Sequence, residues 1–343
     1  MGIAEQFVDA VLASPLGVSW LAVLEAGPSR DGEGWAGAAS TSLPSTVEAA
    51  VDRIETLSFG SVVEAAVHAG VFVAGPWIGD APAQIAEAYR LAESRAPIAA
   101  AVAERFGDQL HAPLDRARQR WMSERWLLGP TIPRFQSFDR VYGAGEFTFG
   151  GLWTATEPAA EALLEMVAAW EYEAGPYVSW TLPVRPEARV FEIHRPTDWA
   201  HLVEAYPRVG RPHPGWELPG INQPNSHLTP LLAVAGQRAV RDLVARHLVP
   251  DWASVASDYD AVHLSWAGFV TSEGCITDSG GDITMLRYWF SERTLWLADV
   301  FGRPTVGPEP EIDISNRSHP RPGAIEVTDA EVARLLGRSP GPE

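Results

Sequence analysis

Residues 150–156 have the sequence Gly-Gly-Leu-Trp-Thr-Ala-Thr. The alternation of apolar and polar residues after the glycines predicts a short β-strand, and the two glycines predict a break from a preceding strand. Further stretches predicted to contain strands lie at residues 177–182, 189–194, 259–270 and 282–300. Because stretches of helical periodicity lie between them, the chain from residue 127 onward is predicted to have an α+β fold.

The first 126 residues have a different pattern. Apolar residues such as Phe7, Val8 and Val11 recur at helical spacing, and the region continues without clear strand signals. We therefore predict three segments: an all-α domain at residues 1–126, a mixed or antiparallel-sheet α+β domain at residues 127–306, and a proline-rich tail with a short helix at residues 307–343.

The composition excludes several kinds of chemistry. All 26 basic residues of the 343-residue chain are arginine, and the absence of lysine excludes a pyridoxal-phosphate aldimine, a Schiff-base aldolase and a GxxxxGK[ST] phosphate loop. The formal net charge of −18 argues against binding to nucleic acid or to an anionic membrane surface. With one cysteine, 14 tryptophans and no apolar run of membrane-spanning length, we expect an acidic, tryptophan-rich cytoplasmic protein.

Two groups of reactive residue types have simple interpretations. His194, His201 and Glu204 have a spacing that could bind a metal on one helix face, but Pro196 is predicted to begin the helix after His194. A surface helix is therefore favoured. Cys275 lies in a polar, turn-like stretch, where the role of a small hydrophobic residue is favoured over that of a nucleophile. No metal is implied.

The order of short segments in the second half is its most informative feature. After residues 150–156 come Trp-Thr-Leu-Pro at 180–183, Tyr-Asp-Ala-Val-His-Leu at 259–264 and Ser-Glu-Arg-Thr-Leu-Trp-Leu at 291–297. This order resembles that of small phage and bacterial proteins with GLWTS, W-x-L-P and closing WDxESTLWL segments, which we identify with an ADP-ribosyltransferase-like fold. The resemblance covers residues 140–300 and does not include the helical N-terminal region.

The resemblance implies roles for individual residues. In that fold family, a glycine–aromatic segment lies on one strand and a glutamate lies near the start of a late strand. Gly151, Trp153 and Thr154 are similar to the first and are expected to bind NAD, and Glu292 is similar to the second and is expected to be catalytic. Ser265 is a candidate for a hydrogen bond to a ribose.

Two positions depart from the family pattern. The family's first strand contributes a histidine or arginine that holds the nicotinamide ribose, and here Arg134, Arg140 and Arg189 are all open choices. Arg134 precedes the glycine–tryptophan strand in the right order and is our candidate. Phe290 stands where the closing segment more often has an acid, so this position bears on whether the site is catalytic.

The resemblance implies an ADP-ribosyltransferase or NAD glycohydrolase that consumes NAD as its substrate, with a small-molecule nucleotide and a protein acceptor as partners. Glu292 would stabilise the oxocarbenium-like cation that forms as the nicotinamide–ribose bond breaks. Trp153 would stack on the nicotinamide, which requires it to face Glu292 across a gap the size of a sugar. Two alternatives remain open: a non-catalytic protein-binding module of the same fold, and a biosynthetic enzyme that acts on another small molecule.

Overall fold

The computed structural model describes eight segments of the chain: residues 2–28, 46–74, 81–124, 152–156, 177–209, 247–279, 282–286 and 289–306. These segments form helices together with two mixed β-sheets, so the fold is α+β. The helix predicted in the tail at 307–343 and the residues Arg134, Arg140 and Gly151 lie outside the described residues.

Six helices make up most of the N-terminal part: α1 (Ile3–Ala13), α2 (Pro15–Ala26), α3 (Val47–Ile54), α4 (Phe59–Ala74), α5 (Ala81–Arg90) and α6 (Ala92–Leu110). Ser14 separates α1 from α2 and caps α2, because its hydroxyl accepts a hydrogen bond from the Gly17 amide at 3.2 Å. Pro15 follows in the first turn, where its missing N–H costs no hydrogen bond.

Helix α2 is the centre of the helical part, since every residue from 15 to 24 is buried. A helix that is apolar on all sides needs neighbours on all sides, and α2 packs against α1, α4, α5 and α6. Within the described residues, no single helix is long and apolar enough to cross a membrane. Helices α1 and α2 reach that length and apolarity only when they are taken together, and they are bent by 95° where they meet.

The larger sheet contains seven described strands: β1 (Gln119–Glu124), β2 (Leu152–Thr156), β3 (Tyr177–Thr181), β4 (Val190–Ile193), β7 (Ala261–Leu264), β10 (Arg293–Trp296) and β11 (Thr305–Val306). Their order across the sheet is β11-β3-β1-β2-β10-β7-β4. Strands β4 and β7 are parallel, and the other neighbours are antiparallel.

The smaller sheet and three helices complete the described fold. The small sheet has the order β5-β6-β9-β8, formed by β5 (Pro207–Val209), β6 (His247–Pro250), β8 (Ile276–Ser279) and β9 (Asp282–Met285). The helices of this half are α7 (Pro196–Ala205), α8 (Trp252–Asp258) and α9 (Trp266–Ser272). Helices α7 and α9 both begin just beyond the ends of the parallel strands β4 and β7, so this end of the large sheet meets helix starts.

One hydrophobic cluster joins the helical part to one face of the large sheet. Its buried members include Phe7 and Leu21 from the helices and Val262 and Leu295 from the sheet. A second cluster, which includes Leu152, Trp180 and Trp296, covers part of the opposite face. The domain boundary at residue 126 stays a prediction, and the described residues on its two sides contribute to one core.

One local prediction is wrong, and one strand is shorter than the stretch that was predicted to contain it. Residues 119–124 were expected within the helical domain but form β1, because this segment pairs with both β2 and β3 in the interior of the sheet. The stretch at 259–270 forms a strand only as far as Leu264. Ser265 then accepts a hydrogen bond from the Gly268 amide at 3.1 Å and caps α9, so local capping overrides the strand pattern.

Candidate functional site

A row of polar side chains crosses four adjacent strands of the large sheet. The register pairs Glu192 on β4 with His263 on β7, His263 with Thr294 on β10, and Thr294 with Thr154 on β2. Residues directly opposite one another in a sheet share a face. Glu292 lies two residues before Thr294, and its carboxylate joins this row at the end of the sheet where β2, β4 and β7 finish.

Trp153 lies on the opposite face from this row. The register pairs it with Leu295, which in turn pairs with Val262. Trp153 packs against the cluster shared with the helices, and its ring meets that of Trp289 edge to face at a centroid distance of 4.9 Å. The expectation that Trp153 and Glu292 face each other is therefore wrong, because adjacent positions on a strand point to opposite faces.

Glu292 is only 4% exposed, and three hydrogen bonds hold its carboxylate in place. Its carboxylate accepts from the amide of Thr156 at 2.8 Å, from the hydroxyl of Thr156 at 2.8 Å and from Nε2 of His263 at 2.9 Å. Hydrogen bonds of this number compensate the cost of burying a carboxylate. They also fix its direction, so the strand ends of β2 and β7 together position this side chain.

His263 lies between two carboxylates and is 1% exposed. Its Nδ1 contacts Glu192 at 2.5 Å and its Nε2 contacts Glu292 at 2.9 Å. Burial alone lowers the pKa of His263, but the hydrogen bonds to Glu192 and Glu292 outweigh burial and raise this pKa to about 9. The ring is then an imidazolium that donates from both nitrogens, since an ionised carboxylate can only accept.

Glu192 accepts a further hydrogen bond from outside the sheet. Its other oxygen takes the amide of Leu114 at 3.1 Å. Burial opposes ionisation of this carboxyl, but the hydrogen bond and charge of His263, together with the Leu114 amide, lower the pKa of Glu192. Leu114 belongs to the segment that follows α6, so Glu192 links the sheet to the wall of the pocket described below.

A second hydrogen-bond chain reaches Glu292 from the core of the sheet. Nε1 of Trp296 donates to the hydroxyl of Thr154 at 2.8 Å, and that hydroxyl donates to the side-chain oxygen of Gln119. The amide nitrogen of Gln119 donates to the hydroxyl of Thr156 at 2.7 Å, which donates to Glu292. All donors in this chain point toward the carboxylate, and such alignment strengthens each bond.

Glu292 and His263 line a pocket of about 620 Å³ at this end of the sheet, as the described residues define it. Thr156 and residues 112–118 line the same pocket, together with the aromatic rings of Phe59 and Trp266. Concave sites with aromatic walls and a few convergent polar groups are typical of small-molecule binding sites.

Two arginines lie on the pocket wall. Arg116 donates to the carbonyls of Arg185 and Ala188, at 3.2 and 2.9 Å, so part of its donor set is used within the protein. Arg118 pairs through Nε with Asp115 at 2.6 Å, and its side chain is 59% exposed. The pocket therefore combines a buried carboxylate at its inner end with guanidinium groups on its wall.

Two other candidate residues, Thr154 and Ser265, have their hydroxyl groups engaged within the protein. Thr154 lies on the same face as Glu292, but its hydroxyl is engaged by Trp296 and Gln119. Ser265 caps α9, donates to the carbonyl of Ile193 at 3.2 Å and lies 3.0 Å from Nδ1 of His194. Of the residues predicted to form the site, the structure thus places Glu292 at the pocket and Thr154 in the network that supports it.

His194 and Cys275 belong to the two groups for which the sequence favoured a simple structural role. His194 belongs to the segment before α7, and Ser265 holds its ring. Among the described residues, no group of three His, Cys, Asp or Glu side chains could hold a metal ion. Burial raises the pKa of Cys275 to about 11, which keeps its thiol protonated at neutral pH.

Sequence reasoning missed His263 and Glu192 as members of the site. The available signal was one polar residue within each of two otherwise apolar strands, Val-Phe-Glu-Ile and Ala-Val-His-Leu, of which the second is wholly buried. A charged residue at such a position requires a partner.

Comparison with known proteins leaves this chain without a match. No family model matches it, and no significant match was found among the curated proteins or the solved structures.

Proposed function

We propose that the protein is an enzyme that acts on a small organic molecule in the pocket beside Glu292, through a transition state in which positive charge develops near that carboxylate. The observation that carries this proposal is the fixed position of Glu292. A buried carboxylate that accepts three hydrogen bonds and lines a pocket is oriented before any ligand arrives. Such a group stabilises a cationic transition state without reorganisation.

Cleavage of an N-glycosidic bond in a ribosyl nucleotide is the reaction class that we infer for this site, with NAD as the substrate to test first. When the nicotinamide–ribose bond breaks, its electron pair leaves on the nicotinamide nitrogen, and the ribose carbon becomes cationic until water or an acceptor adds. Glu292 would stabilise that cation. The inference draws on the sequence resemblance to ADP-ribosyltransferase-like proteins at Glu292, ahead of β10.

This form of the proposal differs from the arrangement expected from the sequence. Trp153 has no place at the pocket, because it packs on the other face of the sheet. Phe59 and Trp266 line the pocket and are the aromatic rings against which a flat base would pack. The ADP-ribosyltransferase-like arrangement is therefore proposed on the strength of Glu292 alone.

The test compares nicotinamide release from NAD by the wild-type protein and by Glu292→Gln, which keeps the shape of the side chain but removes its charge. We expect a loss on the order of 100-fold in kcat, by analogy with the removal of one electrostatic stabiliser. Glu204→Gln, at an exposed position on α7, is the matched control and should leave turnover unchanged. Equal turnover by wild type and Glu292→Gln would remove Glu292 from the mechanism.

A second candidate function is a non-catalytic binding module. The observation that favours it is that all three hydrogen bonds described for the Glu292 carboxylate come from Thr156 and His263, as in a purely structural network. The two candidates differ in a binding measurement. An active site is expected to be stabilised thermally by NAD or by ADP-ribose in the wild type, and a module without this ligand shows neither stabilisation nor nicotinamide release.

A further inference from the structure

The chain from Glu192 through His263 to Glu292 crosses three elements of the fold. Strands β4 and β7 run parallel and place Glu192 directly beside His263, while the residues before β10 bring Glu292 to the other side of the ring. Within the described residues, the carboxylates of Glu192 and Glu292 occupy the two ring nitrogens of His263, one at each.

The two carboxylates that accept hydrogen bonds from His263 differ in burial, in their other partners and in their position relative to the pocket. Glu292 lines the pocket, is nearly fully buried and is also held by Thr156. The side chain of Glu192 is 26% exposed, and its only other hydrogen bond among the described residues is from the amide of Leu114. Glu192 is not among the described residues that line the pocket, so it has no direct route to a ligand there.

We propose that Glu192 is a positioning residue: it holds His263 as a doubly donating imidazolium, which in turn fixes the carboxylate of Glu292 at the pocket. The proposal deepens the proposed function and rests on it for the role of Glu292. It makes the site depend on Glu192, a residue that is not among the described residues lining the pocket.

The charges of Glu192, His263 and Glu292 support the positioning role of Glu192. Two carboxylates within hydrogen-bond distance of one buried ring would repel each other without a cation between them. With His263 protonated, the three groups have a net charge of −1, and Nε2 acts as a donor to Glu292. If the ring loses a proton, one carboxylate loses its donor and becomes a buried charge without full compensation. Glu192 opposes that loss because it accepts from Nδ1.

Other titratable groups surround this chain and must be considered in any pH measurement. Those from the neighbouring elements within the described part of the molecule are His194, His111, Asp198, Asp115, Arg116 and Arg118. His194 interacts with both Glu192 and His263, and its own pKa is lowered, chiefly by burial. It is therefore neutral in the range in which His263 is expected to titrate.

The decisive experiment is a pH titration of the histidine ring nitrogens by NMR in the full-length protein, without any ligand. The resonances of His263 are assigned by comparison with His263→Gln. We expect His263 to be doubly protonated at pH 7.5 in the wild type and to titrate near pH 9. Glu192→Gln should lower the midpoint by at least one pH unit, a tenfold change in the protonation equilibrium, while Glu187→Gln, at an exposed position near β4, should leave it unchanged.

The functional readout is the pH profile of nicotinamide release. In Glu192→Gln we expect kcat to fall at least about threefold at pH 8.5, as a one-unit shift of a midpoint near pH 9 implies, with little change in KM, and the alkaline limb to move to lower pH. A residue with a merely structural role would lower the active fraction at all pH values and leave the limb in place. Glu192→Asp retains the charge and should restore the limb in part. Glu192→Ala, which also removes the acceptor, replaces Glu192→Gln if that variant does not fold.

Failure of this proposal can be distinguished from failure of the proposed function. A neutral His263 ring at pH 7.5 in the wild type, or an unchanged midpoint in Glu192→Gln, overturns the positioning role whether or not NAD is cleaved. A shifted midpoint together with no nicotinamide release retains the link between Glu192 and His263 and rejects NAD cleavage. A shifted midpoint with an unmoved alkaline limb in an active enzyme also overturns the positioning role.

Discussion

The two faces of the large sheet are built from alternate residues of the same strands, yet they are stabilised in different ways. On one face, Trp153, Leu295 and Val262 pack against the helical part of the chain. On the other, Thr154 and His263 occupy the neighbouring positions and belong to a hydrogen-bonded network. The first face depends on buried apolar area. On the second face a smaller apolar cluster lies beside the network, and the network depends on the correct protonation and direction of each polar group.

This difference explains where function can arise. Apolar contacts are non-directional and tolerate small changes of shape. A buried polar network loses much of its stabilisation if one member changes its charge. We therefore expect the face with Glu292, which borders the pocket, to be sensitive to pH, whereas the face with Trp153 packs the sheet against the helices.

The largest expected effect is a pH dependence that belongs to the polar face alone. Because the pKa of His263 is raised to about 9 in the folded protein, its contribution to stability is complete below the unfolded pKa near 6.5 and is lost as pH rises through 9. We expect the free energy of unfolding to fall by on the order of 3 kcal/mol between pH 6.5 and 9.5. Urea unfolding at the two pH values measures this change.

His263→Gln provides the control, because it removes the titrating group and keeps a hydrogen-bonding side chain. The variant should be less stable than the wild type at pH 6.5, and its stability should vary less over the same range. A wild-type stability that stays flat, or that rises with pH, contradicts the assignment of an imidazolium to the polar face.

The second effect concerns the apolar face. Trp153→Ala removes an edge-to-face contact with Trp289 and a partly buried ring, so we expect a loss of about 2 kcal/mol in the free energy of unfolding. Nicotinamide release per folded molecule should not change, since Trp153 faces away from Glu292. Trp153→Phe should lose less stability. A selective loss of turnover in a stable Trp153→Phe protein would contradict the separation of the two faces.

The sequence predicted the strands β2, β3 and β4 because alternation is a local property, and a half-buried strand displays it directly. Glu292 was singled out by the resemblance of the closing segment at 291–297 to that of ADP-ribosyltransferase-like proteins. It could not predict that Glu292 and Trp153 point to opposite faces, because that follows from the register between β2 and β10, which are separated by more than a hundred residues.

The network around Glu292 could not be predicted from the sequence, for a related reason. Glu192, Thr156 and His263 come from three separate strands, and only the sheet order places them beside one another. The strand β1 was missed because its pairing partners lie far along the chain and outweigh its weak local pattern. Burial of a charged residue inside an apolar strand was the one local signal for the network.

The smallest expected effect lies where the chain passes from the apolar cluster to Glu292. Phe290, which follows the buried Trp289, has a φ of 63°, a left-handed conformation that costs an L-residue about 1–2 kcal/mol. Phe290→Ala and Phe290→Gly both remove the ring, and they differ in that glycine adopts this conformation freely. We therefore expect Phe290→Gly to be more stable than Phe290→Ala by about 1 kcal/mol in urea unfolding, after the entropy that glycine gains in the unfolded chain is subtracted. Equal stabilities would mean that this position relaxes without the left-handed turn, and the approach to Glu292 would then owe nothing to backbone conformation at Phe290.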